Sequence, residues 1–139
     1  SKDCPYDEEE SCIQAAAGGH LDCLRFLFAK VKPSRDTEEF AAQQAAAYGR
    51  INILKYLVEE RKISDEVKLL CVANAAGYGR LDCLQYLVEE AKAPLNYWQH
   101  VAYARYKEHH DCVNYLLEKG CPEPTDEQYA EFVEDRKAD

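Results

Sequence analysis

Cysteine and histidine are the side chains of this sequence that could hold a metal ion. The 139 residues include seven Cys and four His. A structural zinc site needs four such ligands at one point, but Cys4 and Cys121 lie near opposite ends of the chain and no Cys-x-x-Cys pair occurs. The neighbours His109 and His110 face different sides of a helix. We therefore expect no metal ion and no other cofactor.

Residues for acid–base or nucleophilic catalysis are equally scattered. The sequence contains no Gly-x-Ser-x-Gly motif, phosphate-binding loop or dinucleotide-binding fingerprint. Nucleophilic catalysis would also need a positioned base and an oxyanion site. Two carboxylate pairs, Glu59-Glu60 and Glu89-Glu90, occupy matching positions near predicted helix ends, where we expect solvated side chains. The sequence therefore predicts neither enzymatic activity nor a small-molecule substrate.

The charge of the chain argues against two classes of partner. Seventeen Lys and Arg oppose 26 Asp and Glu, which gives a formal net charge of −9. No basic block offers the phosphate attraction that nucleic-acid binding requires. No apolar window reaches the roughly 18 to 20 residues of a membrane span, and the N-terminal segment lacks the apolar core of a signal peptide. We expect no nucleic-acid binding and no membrane insertion, and the acidity favours either a basic partner surface or solubility.

An internal repeat predicts the elements that carry these residues. Gly19, Gly49 and Gly79 follow Ala-rich runs at intervals of 30 residues, and a fourth copy begins at His109. After each glycine, apolar residues recur with helical spacing, as in 21–28. Each unit is predicted to be two short helices. Because one such pair cannot bury its own apolar face, the pairs must stack.

Capping residues predict where the first helix of each unit begins and ends. Polar side chains at the start accept backbone N–H groups, and Thr125 with Gln128 forms a capping box. The repeated glycine ends the helix in a left-handed conformation without steric cost. Glu108 replaces this glycine in the fourth unit, where a left-handed residue costs on the order of 1 kcal/mol, so we expect a turn of different shape. The predicted caps are Thr37, Ser64, Asn96 and Thr125.

The segment Ala15-Ala16-Ala17-Gly18-Gly19-His20-Leu21-Asp22 resembles the ankyrin repeat, in which Ala-Ala and two variable residues precede Gly-His-Leu-Glu. The segment from Asp3 to Glu8, echoed at Gly120-Cys121-Pro122, resembles the Gly-Cys-Pro connectors of a divergent ankyrin subgroup found in protists and large viruses. The resemblance implies an all-α solenoid of stacked helical hairpins. The units span 29 to 30 residues rather than about 33, so we expect short connectors without projecting β-hairpin fingers.

We predict one continuous repeat array over 1–139, closed by a polar helix that keeps the open end of the solenoid soluble. The four repeats and the C-terminal capping helix span 1–32, 33–62, 63–92, 93–121 and 122–139.

Two kinds of side chain recur at fixed positions of the second helices. An aromatic ring in every repeat indicates packing between repeats, and the cysteines are typical of small buried hydrophobes. Equivalent cysteines should stay unbridged, because helix axes lie about 8 to 10 Å apart whereas a disulfide needs Cα atoms within about 7 Å. Free thiols imply a cytoplasmic or other reducing intracellular compartment. The rings are Phe26, Tyr56, Tyr86 and Tyr115, and the cysteines are Cys23, Cys83 and Cys112.

In ankyrin proteins the residues just before the repeated glycine commonly line the partner-binding surface. Tyr48, Tyr78 and Tyr106 occur in that region here, and Lys107 adjoins the last of them. Tyrosine provides contact area and a hydrogen bond at low entropic cost. We predict that these residues bind a partner, with Trp98 and its neighbour Tyr97 as further candidates. Two alternatives stay open: Tyr48 and Tyr78 pack on each other, and Trp98 closes the core under the Pro94 connector.

The sequence as a whole predicts a non-catalytic scaffold that binds a protein partner of unknown identity. The alternative is an architectural subunit built permanently into a larger assembly, which would expose a large apolar patch when isolated. The fold predicts a mode of action and leaves the partner open.

Overall fold

The computed structural model describes residues 9–137 as a stack of α-helices. No β-strand occurs within this range, in agreement with the short connectors. The helices are α1 (Glu9–Gly18), α2 (Leu21–Val31), α3 (Arg35–Ala47), α4 (Ile51–Glu59), α5 (Asp65–Gly77), α6 (Leu81–Glu89), α7 (Trp98–Tyr106), α8 (His110–Glu118) and α9 (Asp126–Lys137).

The helices form two layers. The first helices of the hairpins, α1, α3, α5 and α7, lie side by side and make most of the contacts between repeats. The second helices, α2, α4, α6 and α8, each pack against the first helix of their own hairpin, and α9 packs on α7. This arrangement confirms the predicted all-α solenoid. The exact repeat boundaries stay a prediction.

The core combines small residues in one layer with leucines in the other. Alanine lets the first helices approach one another closely, because its side chain is a single methyl group. Burial of each leucine contributes about 1.5 to 3 kcal/mol. These residues are Ala15, Ala45, Ala75 and Ala104 in the first helices and Leu27, Leu57, Leu87 and Leu116 in the second, all at most 2% exposed.

Two of the predicted helix caps are confirmed. The Ser64 hydroxyl accepts the Val67 N–H at 3.3 Å at the start of α5. Before α9, the Gln128 N–H donates to the Thr125 hydroxyl at 3.1 Å, and the Thr125 N–H donates to the side-chain Oε1 of Gln128 at 2.9 Å. This reciprocal pair is the predicted capping box.

The other two predicted caps are wrong. Ser34, not Thr37, caps α3, and its hydroxyl accepts the Thr37 N–H at 3.2 Å. Ser34 follows Pro33, which ends the connector, so the helix begins as soon as a capping side chain is present. The cap of α7 is Tyr97 rather than Asn96, and its side chain makes no capping hydrogen bond.

The turns between the two helices of a hairpin have one shape in all four units. Gly19, Gly49 and Gly79 have φ of 78°, 74° and 72°, the left-handed conformation that was predicted. Glu108 also has a left-handed φ, 63°. The Glu108 N–H donates to the Arg105 carbonyl at 3.0 Å. In the same way, the Gly79 N–H donates to the carbonyl of Ala76, three residues before it, at 3.3 Å. The prediction of a different turn at Glu108 is therefore wrong.

The repeated glycines also make room for the next repeat. The Arg50 Nε donates to the Ala17 carbonyl at 2.8 Å, and a Cβ on Gly19 would lie 2.9 Å from the Arg50 Cδ. A Cβ on Gly79 would lie 2.6 Å from His109 Nδ1. Within residues 9–137 only α9 follows the fourth hairpin, so no such residue reaches over Glu108. A side chain is tolerated at Glu108 because its only cost is the strain of the left-handed backbone conformation.

The aromatic series packs between repeats as predicted, except at its first member. Tyr56, Tyr86 and Tyr115 are 8%, 4% and 9% exposed, whereas Phe26 is 38% exposed. Phe26 lies on α2, and the described chain contains no earlier second helix to cover it.

The tyrosine hydroxyls also bind glutamates of the preceding repeat. The Tyr86 hydroxyl donates to Glu59 at 2.7 Å, and the Tyr115 hydroxyl donates to Glu89. Burial and these hydrogen bonds raise the pKa of both tyrosines. Glu59 and Glu89 are therefore not merely solvated helix ends, since each links its repeat to the next.

Most described cysteines are buried thiols, but one is not. Cys71, Cys83, Cys112 and Cys121 are free and buried. Burial raises the pKa of Cys83 to about 11 and that of Cys112 to about 12, so both are protonated and unreactive near neutral pH. Cys23, which is only half-buried, is disulfide-bonded. That bond corrects the expectation of thiols throughout, although Cys23 is not joined to its free equivalents Cys83 and Cys112.

Candidate protein-interaction surface

Two of the predicted partner-binding residues are exposed at equivalent positions of their repeats. Tyr48 and Tyr78 are the C-cap residues of α3 and α5. Their side chains are 51% and 52% exposed. The ring contacts of the described residues do not include a Tyr48–Tyr78 pair, so the two rings do not pack on each other.

Two other predicted site residues, Trp98 and Tyr106, are half-buried and contact the C-terminal helix. The Phe132 ring of α9 is 7% exposed, and its centroid lies 6.3 Å from that of Tyr106 and 6.4 Å from that of Trp98. Trp98 is half-buried with its ring against Phe132, so its part in partner binding stays a prediction. Tyr106 does not continue the open positions of Tyr48 and Tyr78.

Lys107 occupies the position after Tyr106 and is exposed. Its Nζ lies 5.8 Å from the centroid of the Tyr106 ring and 6.0 Å from that of Tyr103. Both distances are at the edge of the range of a cation–π contact. The ammonium group is available at the surface, next to the part of α7 that α9 covers.

Tyr103 fits into the stack because the preceding repeat has a glycine opposite it. A Cβ on Gly77 would lie 2.1 Å from the Tyr103 ring. One repeat earlier, Ala47 occupies the position of Gly77, and Asn74, which is smaller than tyrosine, occupies the position of Tyr103. The large ring of α7 and the missing methyl group of α5 therefore belong together.

Two exposed apolar side chains, Phe40 and Leu70, were not identified from the sequence, whereas Tyr97 was named there beside Trp98. Phe40 is 51% exposed, Leu70 46% and Tyr97 44%. Phe40 and Leu70 are 30 residues apart and occupy the same position of α3 and α5. Alignment of the repeats contains that signal, because both residues fall outside the buried alanine face of their helices.

A groove of about 320 Å³ opens between α5, α7 and α9. Leu70 and Ala73 line it from α5, Tyr103 from α7, and Phe132 and Arg136 from α9. The Arg136 guanidinium lies 3.9 Å from the centroid of the Phe132 ring. The groove is thus largely apolar, with one positive charge at its α9 side.

His100 lines the same groove from α7. The residue is 7% exposed, and burial lowers its pKa to about 4, although a hydrogen bond to the Leu69 backbone opposes the shift. The Nδ1 atom is buried without a hydrogen-bond partner among the described residues. The imidazole is therefore neutral near pH 7.

Chemistry of other kinds has little support in the described part of the chain. Residues 9–137 contain no group of three His, Cys, Asp or Glu side chains that could hold a metal ion. None of the helices in this range is long and apolar enough to span a bilayer. Cys4 and the connector from Asp3 to Glu8 lie outside the described residues.

Comparison with known proteins identifies the repeats. The family model for ankyrin repeats (3 copies) matches residues 43–128, more than half of the chain. No curated protein matches the sequence. Among solved structures, a chain of the crystal structure of the yeast ribosomal protein Rps3 in complex with its chaperone Yar1 is similar, with a TM-score of 0.68. The sequence identity is 24%, over 88% of this chain and 100% of that chain. The likeness supports the fold, and the family match shows that this chain belongs to the ankyrin repeat family.

Proposed function

We propose that the chain is a non-catalytic scaffold that binds a protein partner through a surface centred on Tyr48 and Tyr78. Ankyrin repeats are generally protein-interaction modules without catalytic activity. The observation that carries the proposal is the half-exposure of both rings at equivalent helix ends. A helix cap requires no such ring, and exposed tyrosines are typical of recognition surfaces.

Two comparisons support a protein partner. The ankyrin family match begins within α3 and includes both Tyr48 and Tyr78. The similar solved structure contains a chaperone in complex with a ribosomal protein, so a related fold acts there as one half of a protein complex. Lys107 is a further candidate for contact, and Tyr106 and Trp98 offer less surface because each is half-buried against Phe132 of α9.

We also propose two finer assignments. The Gly120-Cys121-Pro122 connector and the short repeats favour the divergent ankyrin subgroup. The buried thiols favour a reducing compartment, and the disulfide of Cys23 is the feature that argues against it. The absence of enzymatic activity is part of the proposed scaffold function.

Partner capture tests the binding surface. The purified chain serves as bait in extract from the source cells, and captured proteins are quantified by mass spectrometry. We expect Tyr48→Ala with Tyr78→Ala to lose the captured partner while retaining helical circular dichroism and melting temperature. Phe26→Ala is the matched control, because Phe26 is a partly exposed ring on the other layer. Unfolding of the double variant, or unchanged capture by it, would overturn the proposal.

A further inference from the structure

The first-helix layer carries an apolar track that no element of the described chain covers. Phe40 on α3, Leu70 on α5 and Tyr97 at the start of α7 are each 44% to 51% exposed. Leu70 and Tyr97 also line the groove between α5, α7 and α9. The track therefore runs from an exposed ring to a cavity of about 320 Å³, large enough for a bulky side chain.

The spacing along this track selects the shape of an occupant. Phe40 and Leu70 are equivalent residues on adjacent first helices, whose axes lie about 8 to 10 Å apart. Residues seven apart on an α-helix share a face and are separated by about 10.5 Å. On a β-strand, residues of one face are about 6.7 or 13 Å apart. The helical spacing of about 10.5 Å is therefore closer to the spacing of the track than either spacing of a strand.

Carboxylates accompany the exposed apolar residues. Asp36 precedes Phe40 by one helical turn, and Glu66 precedes Leu70 by one turn, so each pair shares a helix face. Both carboxylates are exposed, and the ion pairs of residues 9–137 include neither of them. The Arg136 charge lies at the other side of the groove, against Phe132. Positive charges on a partner would therefore lie over α3 and α5.

We propose that the apolar track and the adjoining groove bind a lysine- or arginine-rich α-helix of the partner protein. Large apolar residues seven positions apart contact Phe40 and Leu70, and a further one enters the groove beside Tyr97. Basic side chains pair with Asp36 and Glu66. The inference rests on the proposed scaffold function and names the chemistry of its partner. A net charge of −9 disfavours a second copy of this chain as the occupant.

Designed peptides test the spacing and the charge on the full chain. The probe is an alanine-based peptide of about 18 residues, which is long enough to form a helix. It carries two Leu seven positions apart and several Lys. One control places the two Leu on opposite faces, and another replaces every Lys by Glu. We expect the probe to bind at least about 10-fold tighter than either control in fluorescence anisotropy. Equal affinity of the three peptides, or no binding of the probe, would overturn the proposal.

Matched variants locate the binding site of the probe. Leu70→Lys and Phe40→Lys are each expected to weaken probe binding at least about 10-fold. Phe26→Lys makes the same charge change at a partly exposed ring of the second-helix layer and should leave affinity unchanged. Circular dichroism confirms that each variant is folded. An equal loss for Phe26→Lys would contradict the proposal and indicate nonspecific charge effects.

Two further outcomes separate this inference from the proposed function. If the probe does not bind but capture of a cellular partner still depends on Tyr48 and Tyr78, the inference fails and the scaffold function stands. If the chain alone sediments as a dimer that Leu70→Lys dissociates, the occupant of the track is a second copy and the proposed partner helix is wrong.

Discussion

Single residues account for how one repeat joins the next. Each glycine between paired helices meets two demands, a left-handed φ and close approach of a basic side chain from the following repeat. Glu108 meets only the first demand, because no equivalent residue lies over it. The sequence shows that the glycine is replaced at this position. It does not show whether a neighbour would clash, since that depends on the stacking of the repeats.

Gly79 and Glu108 should respond to substitution in opposite directions. We expect Gly79→Ala to lower the free energy of unfolding by about 2 kcal/mol, because it adds backbone strain and a clash with His109. Glu108→Gly should raise it, by up to about 1 kcal/mol, by removing the same strain. Urea unfolding followed by circular dichroism measures both. A loss of stability in Glu108→Gly equal to that of Gly79→Ala would contradict this account.

His100 should make stability depend on pH. Its folded pKa of about 4 lies below the ordinary value of 6.5, so between these values the unfolded chain binds a proton that the folded chain does not. Stability is therefore lost as pH falls from about 6.5 to 4, by about 3 kcal/mol.

His100→Gln isolates that contribution, because glutamine keeps an N–H donor and does not titrate. The difference in unfolding free energy between the parent chain and this variant should change between pH 7 and pH 4. A constant difference across this range would show that the imidazole is not buried in its neutral form.

Adjacent helices pack through residues whose sizes are complementary. Gly77 of α5 accommodates Tyr103 of α7, and Phe132 of α9 fills the space between Trp98 and Tyr106. The predicted helices and their glycine ends are confirmed, because they depend on local spacing. Trp98 and Tyr106 could not be placed from the sequence, because their exposure depends on where α9 docks.

A double-mutant cycle tests the pairing of α5 and α7. Gly77→Ala should destabilise the chain by about 1 to 3 kcal/mol, since the added methyl group would overlap the Tyr103 ring. Tyr103→Asn, which installs the residue type of the preceding repeat, should restore most of that loss in the double variant. Thermal and urea unfolding report the coupling. Additive effects of the two substitutions would mean that they do not touch.

Tryptophan fluorescence tests the docking of α9. Trp98 is the single tryptophan of the chain, and its ring centroid lies 6.4 Å from that of Phe132. We expect Phe132→Ala to shift its emission to longer wavelength and to cost about 3 kcal/mol, because a buried aromatic contact is lost. Val133→Ala is a milder control on the same helix. Unchanged emission in Phe132→Ala would show that α9 does not cover Trp98.

At the scale of the whole molecule, stability comes from contacts between neighbouring repeats. The 30-residue spacing and the Ala-Ala motif were sufficient to predict this architecture, because the same local sequence pattern recurs in each repeat. The groove was missed because residues of three separate helices meet there, and the cap at Ser34 was missed because a later polar residue fitted the same pattern. Surfaces formed by distant segments carry no local signal.

Photo-cross-linking reports whether Tyr48 and Tyr78 contact the partner. Chains with p-benzoylphenylalanine in place of Tyr48, Tyr78 or Phe26 are irradiated in extract from the source cells. The proposed contact predicts one common cross-linked protein from positions 48 and 78 and none from position 26. Cross-links from position 26 alone, or from none of the three in a chain that still captures its partner, would contradict it.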